Sequence, residues 1–403
     1  MSIGAVLREQ RTTLGLTVAQ AAGRGGVTRS YLSMVETGQR APNPEALVRF
    51  TRALGIPTEA WLPAFLEDEW RCQRLVSLGR ALFEASDYPA ALRALARAMN
   101  ASRSDYNGRY NSEIYMLLGR VRYAEGRYRQ ALRWLRRVSR AVSHSQDVRL
   151  KAATDFNLAQ CMAKAGHEIE ALEKYDAAVA GFRTLRLWAL VGKVWLAKGN
   201  LLLEQSMYME AHEAYCNSAR FLRGQPFQDD ALLGVAITTI FVKSPSASVP
   251  LFRKIIDGEH TSVIVRAKAR DNLATALREV GLYEEAVSEA RSALETRDQL
   301  PPRLVAALLA EEALSYALMG DLGSTLKTVE EYKLVLGEKD GQDVAAMRIL
   351  ARALRVAPPQ ERVDGVVGDD HEHHVREALR ILQSTRNAET AQRRKGGTSA
   401  EPA

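Results

Sequence analysis

The sequence predicts an all-α protein in two parts: a small helical domain at the N-terminus and a long array of stacked helical hairpins behind it. Three observations carry this. Residues 17–40, TVAQAAGRGGVTRSYLSMVETGQR, read as two short helices around a tight turn. From about residue 68 helical periodicity dominates, and the period-two alternation of strands is absent. Small residues also recur at a fixed interval, Gly79, Gly119, Ala159 and Gly199 standing forty apart. A chain of 403 residues holds two or three domains with cores of their own.

The first helix, residues 1–14, has Ile3, Val6, Leu7 and Leu14 at helical spacing. Thr17 can cap the second, its hydroxyl accepting an N–H that the first turn leaves unpaired. Gly25 and Gly26 allow the sharp turn. Thr28 caps a third helix from Arg29 to Thr37, which Gly38 ends. On it Leu32 and Val35 share a face, with Arg29, Ser30, Ser33 and Met34 on or near the other. A Pro-containing loop at 41–43 leads to Pro44 at a helix start, and that helix runs to Gly55. Trp61 and Leu62 begin a short closing segment. A short helix buried along one stripe, with small polar and cationic side chains along the other, can enter a DNA major groove.

Residues 3–62 resemble the phage-repressor (Xre/Cro-type) helix-turn-helix family, a five-helix DNA-binding domain. The likeness rests on Leu7, Arg11, Leu16-Thr17, Ala22, Val27-Thr28-Arg29-Ser30, Glu36-Thr37-Gly38, Pro42 and Ala53-Leu54-Gly55, in order. It implies a DNA-binding domain over 1–66, with base contacts at Arg29, Ser30 and Ser33 or Met34. Arg40 and Asn43 fall where the family touches phosphate, and Thr17, Thr28 and Gln39 complete the candidate DNA-binding set. It also implies an internal brace between Arg11 and Glu36. Val18 stands where glutamine is usual, Ala21 and Gly25 stand where larger aliphatics are usual, and Gly23 lies inside a helix. A domain kept for packing or dimerisation is the alternative reading.

The repeat extends beyond its first signal. Ala91, Ala131, Ala171 and Ala211 follow the small residues by twelve; Tyr88, Tyr128 and Tyr208 precede three of them by three; Leu95, Leu135, Tyr175 and Tyr215 follow by four. Later copies run through Ala274, Gly281, Tyr283 and Ala286, then Ala313, Gly320 and Leu322, with residues 230–258 a degraded copy. Small residues mark close helix contacts, glycines the reversal, aromatics the gap to the next hairpin. The pattern resembles the tetratricopeptide repeat, with helices longer than its usual ~34-residue unit. It implies a right-handed α-solenoid of about seven copies over 70–335, with a capping helix at 343–356, the whole array spanning 68–356.

In such arrays the first helix of each hairpin lines the concave face. Carried over, inward positions include Arg80, Arg120, Tyr123, Asn157, Gln160 and Lys164, then Lys193, Asn200, Lys268, Asn272 and Arg278. The set is rich in amides and cations and almost free of acids. Amides pair with the backbone of an extended peptide, and cations with carboxylates. Solvated polar residues on a wide groove are the competing reading. A basic run, Arg120, Arg122, Arg127, Arg129, Arg133, Arg136, Arg137 and Arg140, is interrupted by Glu125 alone among acids. It suits an extended DNA footprint, an acidic partner, or the wet face of amphipathic helices.

Composition narrows the class. The chain is 46% hydrophobic and 26% charged, ordinary for a globular protein. No apolar run approaches the ~20 residues that cross a bilayer, and no signal-peptide core opens the chain, so a cytoplasmic site is expected. Cys72, Cys161 and Cys216 suit reduced core residues. Net charge is +7, and residues 1–66 hold seven Arg, no Lys and four Glu, a mild attraction toward an acidic polymer. No nucleotide loop, zinc knuckle or nucleophile–base set is present, so neither enzyme activity nor a cofactor is expected. Residues 357–370 read as a linker, 371–384 as a helix and 385–403 as a disordered tail. His371-Glu372-His373-His374 has metal-ligand types without a third ligand fixed by spacing; a solvated helix start is the simpler reading.

A phage-repressor head followed by a repeat array resembles the Rap/PlcR/PrgX-type peptide-sensing regulators. The resemblance implies a dimeric transcriptional regulator with double-stranded DNA as one partner and a peptide or protein effector in the groove as another. The alternative is an interaction scaffold whose head no longer reads DNA.

Overall fold

The computed structural model describes residues 3–68, 72–103, 110–143 and 145–336, all as helices and connecting turns. Five helices form the head: α1 (Ile3–Thr13), α2 (Val18–Arg24), α3 (Arg29–Glu36), α4 (Pro44–Ala53) and α5 (Thr58–Asp68). The closing segment expected after Gly55 is thus a full helix, because Trp61, Leu62 and Phe65 all find a core to enter. Local chemistry sets the boundaries. Thr17 accepts the Gln20 N–H at 3.2 Å while the Gln20 side chain accepts the Thr17 N–H at 3.0 Å, a reciprocal cap. Asn43 accepts the Ala46 N–H at 2.9 Å ahead of Pro44.

Seven hairpins follow: α6 (Cys72–Glu84) with α7 (Tyr88–Arg103), α8 (Asn111–Ala124) with α9 (Tyr128–Val142), and α10 (Val148–Lys164) with α11 (Glu168–Thr184). Then come α12 (Trp188–Glu204) with α13 (Tyr208–Phe221), α14 (Gln228–Val242) with α15 (Pro245–Ile256), α16 (Val263–Glu279) with α17 (Tyr283–Leu294), and α18 (Pro302–Met319) with α19 (Leu322–Leu336). The forty-residue spacing has a direct steric meaning. A Cβ added at Gly79 would lie 2.7 Å from Leu95, at Gly119 2.7 Å from Leu135, and at Gly199 2.9 Å from Tyr215. Each small residue is therefore the notch into which the partner helix sets a large side chain. Tyr215 also abuts Gly234 of the next hairpin, filling the gap between repeats. Six of the seven reversals sit at positive φ, and Ser86, Gly126, Gly166 and Ser206 occupy this slot forty residues apart.

The chain divides within α12 into two compact units, residues 1–194 and 195–403. In the first, the head does not own a separate core. One buried cluster runs from Ile3 and Leu7 through Leu47, Trp61 and Phe65 into Leu75, Leu95 and Val121. Arg74 of α6 donates to the Pro42 carbonyl and lies over the Phe65 ring at 5.9 Å. In the second unit a cluster from Leu233 through Phe252, Leu273 and Leu308 to Tyr332 joins α14 to α19. The capping helix, linker, helix and tail expected at 343–356, 357–370, 371–384 and 385–403, His371 to His374 among them, lie outside the described residues.

Candidate functional site

The site is built on α3. Leu32 and Val35 are 2% exposed, while Arg29, Ser30 and Ser33 are exposed and Met34 is half-buried. Thr28 caps the helix by accepting the Tyr31 N–H at 3.2 Å. At the far end Glu36 takes two bonds from Arg11, Nε to Oε1 at 2.7 Å and Nη2 to Oε2 at 2.9 Å. Arg11 gives a third bond to the Leu16 carbonyl at 2.7 Å, and hydrogen bonding to Glu36 raises its pKa above the usual arginine value. The brace thus ties α1, the turn into α2 and the end of α3 together. Behind α3, the small Gly4 lets α1 approach the Val35 carbonyl, where a Cβ would lie 2.2 Å away.

The remaining head candidates cluster around this helix. Gln39 and Arg40 are exposed in the loop that follows, and Arg40 stacks over the Tyr31 ring at 5.2 Å. Tyr31 Oη accepts the Asn43 N–H at 2.7 Å, which pins the loop to α3. Sequence reading passed over Tyr31, whose only signal was an aromatic ring half a turn from the exposed stripe. Thr17, Thr28 and Asn43 all spend their side-chain oxygens as caps. They present helix N-termini, which favour phosphate through free N–H groups and the helix dipole. Gly25, small where the family carries an aliphatic, faces Phe50: a Cβ there would lie 2.1 Å from the ring. The volume has moved from one residue to the other.

In the repeats, Arg120, Tyr123, Asn157 and Gln160 come together around a cleft of about 300 Å³, completed by Phe83 and Cys161. Arg120 lies over the Phe83 ring at 4.6 Å, and partial burial there lowers its pKa. Phe83 and Cys161 carried no polar signal and were missed. Asn157 donates to the Ala153 carbonyl at 2.7 Å and Asn272 to the Lys268 carbonyl at 2.8 Å, the same geometry at the same helix position. Lys164 and Lys193 belong to the same unit as the cleft but not to its lining. In the second unit Asn200 accepts from Tyr215 Oη at 2.8 Å.

Acids are more frequent near these positions than the sequence set implied. Arg80 pairs with Glu113, and Arg278 is 9% exposed, with Nε 2.8 Å from Glu311 and Nη1 2.8 Å from Glu279. Asp271 is pushed up to about 7 by burial, with Glu311 adding to the effect. Arg278 therefore braces α16 to α18 in this structure. Among the described residues no group of three or more His, Cys, Asp or Glu could hold a metal ion.

Comparison with known proteins follows the same division. Residues 2–62 match the helix-turn-helix domain family and residues 73–142 the tetratricopeptide repeat family. This chain therefore carries a helix-turn-helix domain followed by tetratricopeptide repeats. Uncharacterized HTH-type transcriptional regulators from two strains of Mycobacterium tuberculosis are 40% identical over 56 residues. The match covers 14% of this chain and 40% of each relative's length. Among solved structures, the apo form of the quorum sensor NprR from B. thuringiensis aligns with a TM-score of 0.58 at 12% identity, over 92% of this chain and 99% of that one. A signal transduction ATPase with a tetratricopeptide repeat sensor from Pyrococcus horikoshii aligns at 0.57 and 13%, over 89% and 55%. At these identities the likeness is one of fold. The helix-turn-helix and repeat families are both non-enzymatic kinds, and no helix among the described residues is long and apolar enough to cross a membrane.

Proposed function

We propose that this helix-turn-helix protein is a dimeric transcription regulator that reads duplex DNA through α3, and that its repeat array takes a peptide or protein effector which alters that grip. The exposed row Arg29, Ser30 and Ser33 on a helix fixed from behind by Leu32, Val35 and the Arg11–Glu36 brace carries the reading. Arg29 and its neighbours discriminate bases; Arg40, Gln39 and the N-termini capped by Thr17, Thr28 and Asn43 hold phosphate. The cleft at Arg120, Tyr123, Asn157 and Gln160 is the candidate effector subsite, with a cation for a carboxylate and amides for a peptide backbone. In the proposal Lys164 and Lys193 add to that face within the first unit, and Lys268 and Asn272 are separate candidate contacts in the second, where Asn200 is held by Tyr215 and Arg278 by Glu279 and Glu311. Two heads must meet half-sites about 34 Å apart, so an effector that changes how two chains pair changes DNA affinity.

The test is binding to duplexes recovered from genomic fragments, set against random duplexes, over a salt series. Affinity should fall with salt by about 0.9 log units per log unit for each phosphate held. Arg29→Ala should erase the preference between duplexes, and Arg40→Ala should weaken both alike. Equal effects of both variants on both duplexes would favour the scaffold reading instead.

A further inference from the structure

Charge is distributed unevenly along this chain. Residues 1–150 contain 23 Arg, no Lys and 13 Asp or Glu, a net of +10; the rest of the chain is therefore −3 against the total of +7. Most of that excess lies outside the head. The second helices of the first two hairpins, α7 and α9, contain no acid at all. On α9, Arg129, Arg133, Arg136 and Arg140 are exposed and recur at steps of four, three and four, which places them in one row along one face. Among the described residues none of the four makes an ion pair. The row is about 16 Å long, or about five base-pair steps of duplex. It continues across the repeat: Arg97 of α7 is exposed at the position that Arg137 holds forty residues later, and Arg93, at the position of Arg133, is exposed with Nη2 3.8 Å from Glu59 of the head. On α11 the same positions are Glu173 and Ala177, so the basic face stops at the second hairpin.

Two features distinguish this face from an ordinary wet helix surface. Like charges three and four apart repel, and α9 supplies no acid to offset them. The cations are all guanidinium groups, which fit phosphate oxygens in pairs. The helices also belong to the same compact unit as the head: α7 enters the core that runs from Ile3 to Val121, and Trp134 of α9 packs against it. A polyanion held by α3 is thus presented to a unit that carries a second, fixed cationic surface.

We propose that the outer faces of α7 and α9 form a second DNA-contacting surface that grips the phosphate backbone without reading bases. The proposal rests on the reading of the head as a DNA reader. Its test uses the full chain with Arg129, Arg133, Arg136 and Arg140 all changed to Gln, beside Arg29→Ala. Anisotropy is measured on a recovered genomic duplex and on a random duplex of equal length, over a salt series. The fourfold variant should lose affinity about equally for both, about tenfold or more near 150 mM salt, and its salt slope should fall by up to about 3.6. The Arg133→Gln/Arg136→Gln pair should lose about half as much slope, and both variants should melt at or above the wild-type temperature. Arg29→Ala should remove preference and keep most of the slope. If wild type prefers neither duplex while the fourfold variant still loses slope, the head reading fails and the second surface stands. If the fourfold variant keeps wild-type affinity and slope on both duplexes, the proposal is wrong. Loss of binding to poly-glutamate with an unchanged DNA slope would assign the face to an acidic polypeptide and would equally overturn it.

Discussion

Replacing Glu36 by Ala tests how α3 is held. The Arg11 and Glu36 side chains are 10% and 5% exposed and share two bonds of 2.7 and 2.9 Å. Removing the carboxylate leaves a buried guanidinium with the Leu16 carbonyl as its remaining partner. Two charge-assisted bonds are each worth about 1.5–3 kcal/mol, and breaking a buried pair from one side costs about 3–5 kcal/mol. The structure therefore predicts a loss of about 3–4 kcal/mol from the first unit. At about 2–4 °C per kcal/mol for a body of this size, that is a fall of about 10 °C in Tm. The double change Arg11→Met/Glu36→Leu removes both charges and should stay within about 1 kcal/mol of wild type. Urea titrations of wild type, Arg11→Met, Glu36→Leu and the double variant give the coupling directly. A Glu36→Ala protein that loses less than about 1 kcal/mol, or a double variant that loses the sum of the singles, would refute the brace.

Other substitutions probe separate parts of the argument. Gly25→Ala should cost about 2–3 kcal/mol by driving a methyl into Phe50, whereas Gly23→Ala, with nothing within 4 Å, should gain about 0.5–1 kcal/mol; thermal melts that rank them otherwise would contradict the packing. Ser206→Gly should gain about 0.5–1 kcal/mol, since φ is +59° there and glycine relieves it; a drop in Tm would count against the turn geometry. Burial pushes the Asp271 carboxyl up to about 7, so between the ordinary carboxylate range and pH 7 the unfolded chain has released a proton that the folded chain keeps. Stability of the second unit should accordingly fall as pH rises through that window, by up to about 4 kcal/mol, and Asp271→Asn should flatten the profile; parallel Tm–pH curves for the two proteins would exclude it.

Much of this was legible in the residues because it is local or periodic. Thr17 and Thr28 announce their helices by cap chemistry, Pro44 marks the start of α4, and Leu32 and Val35 declare the buried side of α3 by spacing. Gly79, Gly119 and Gly199 reveal the hairpins because one steric demand repeats. What stayed hidden depends on register between distant segments. The pairing of Arg278 with Glu311 spans 33 residues between the first helices of two hairpins, and turned a candidate groove residue into a brace. Gly25 stands where an aliphatic is usual, and its reason is out of local view: the Phe50 ring, 25 positions later, occupies its space. The cleft drew in Phe83 and Cys161, residues whose apolar character gave no reason to pick them out.

The unbroken core between the head and the first hairpins also bears on how such a chain could have been assembled and could be rebuilt. Cutting at residue 66 would expose the sides of α4 and α5 that pack on α6 and α7. An exchange of helix-turn-helix heads by recombination would then fail at the boundary the sequence suggests, and would succeed only if the crossover carried the first one or two hairpins along. The smallest transplantable piece of this protein is a head together with its pedestal.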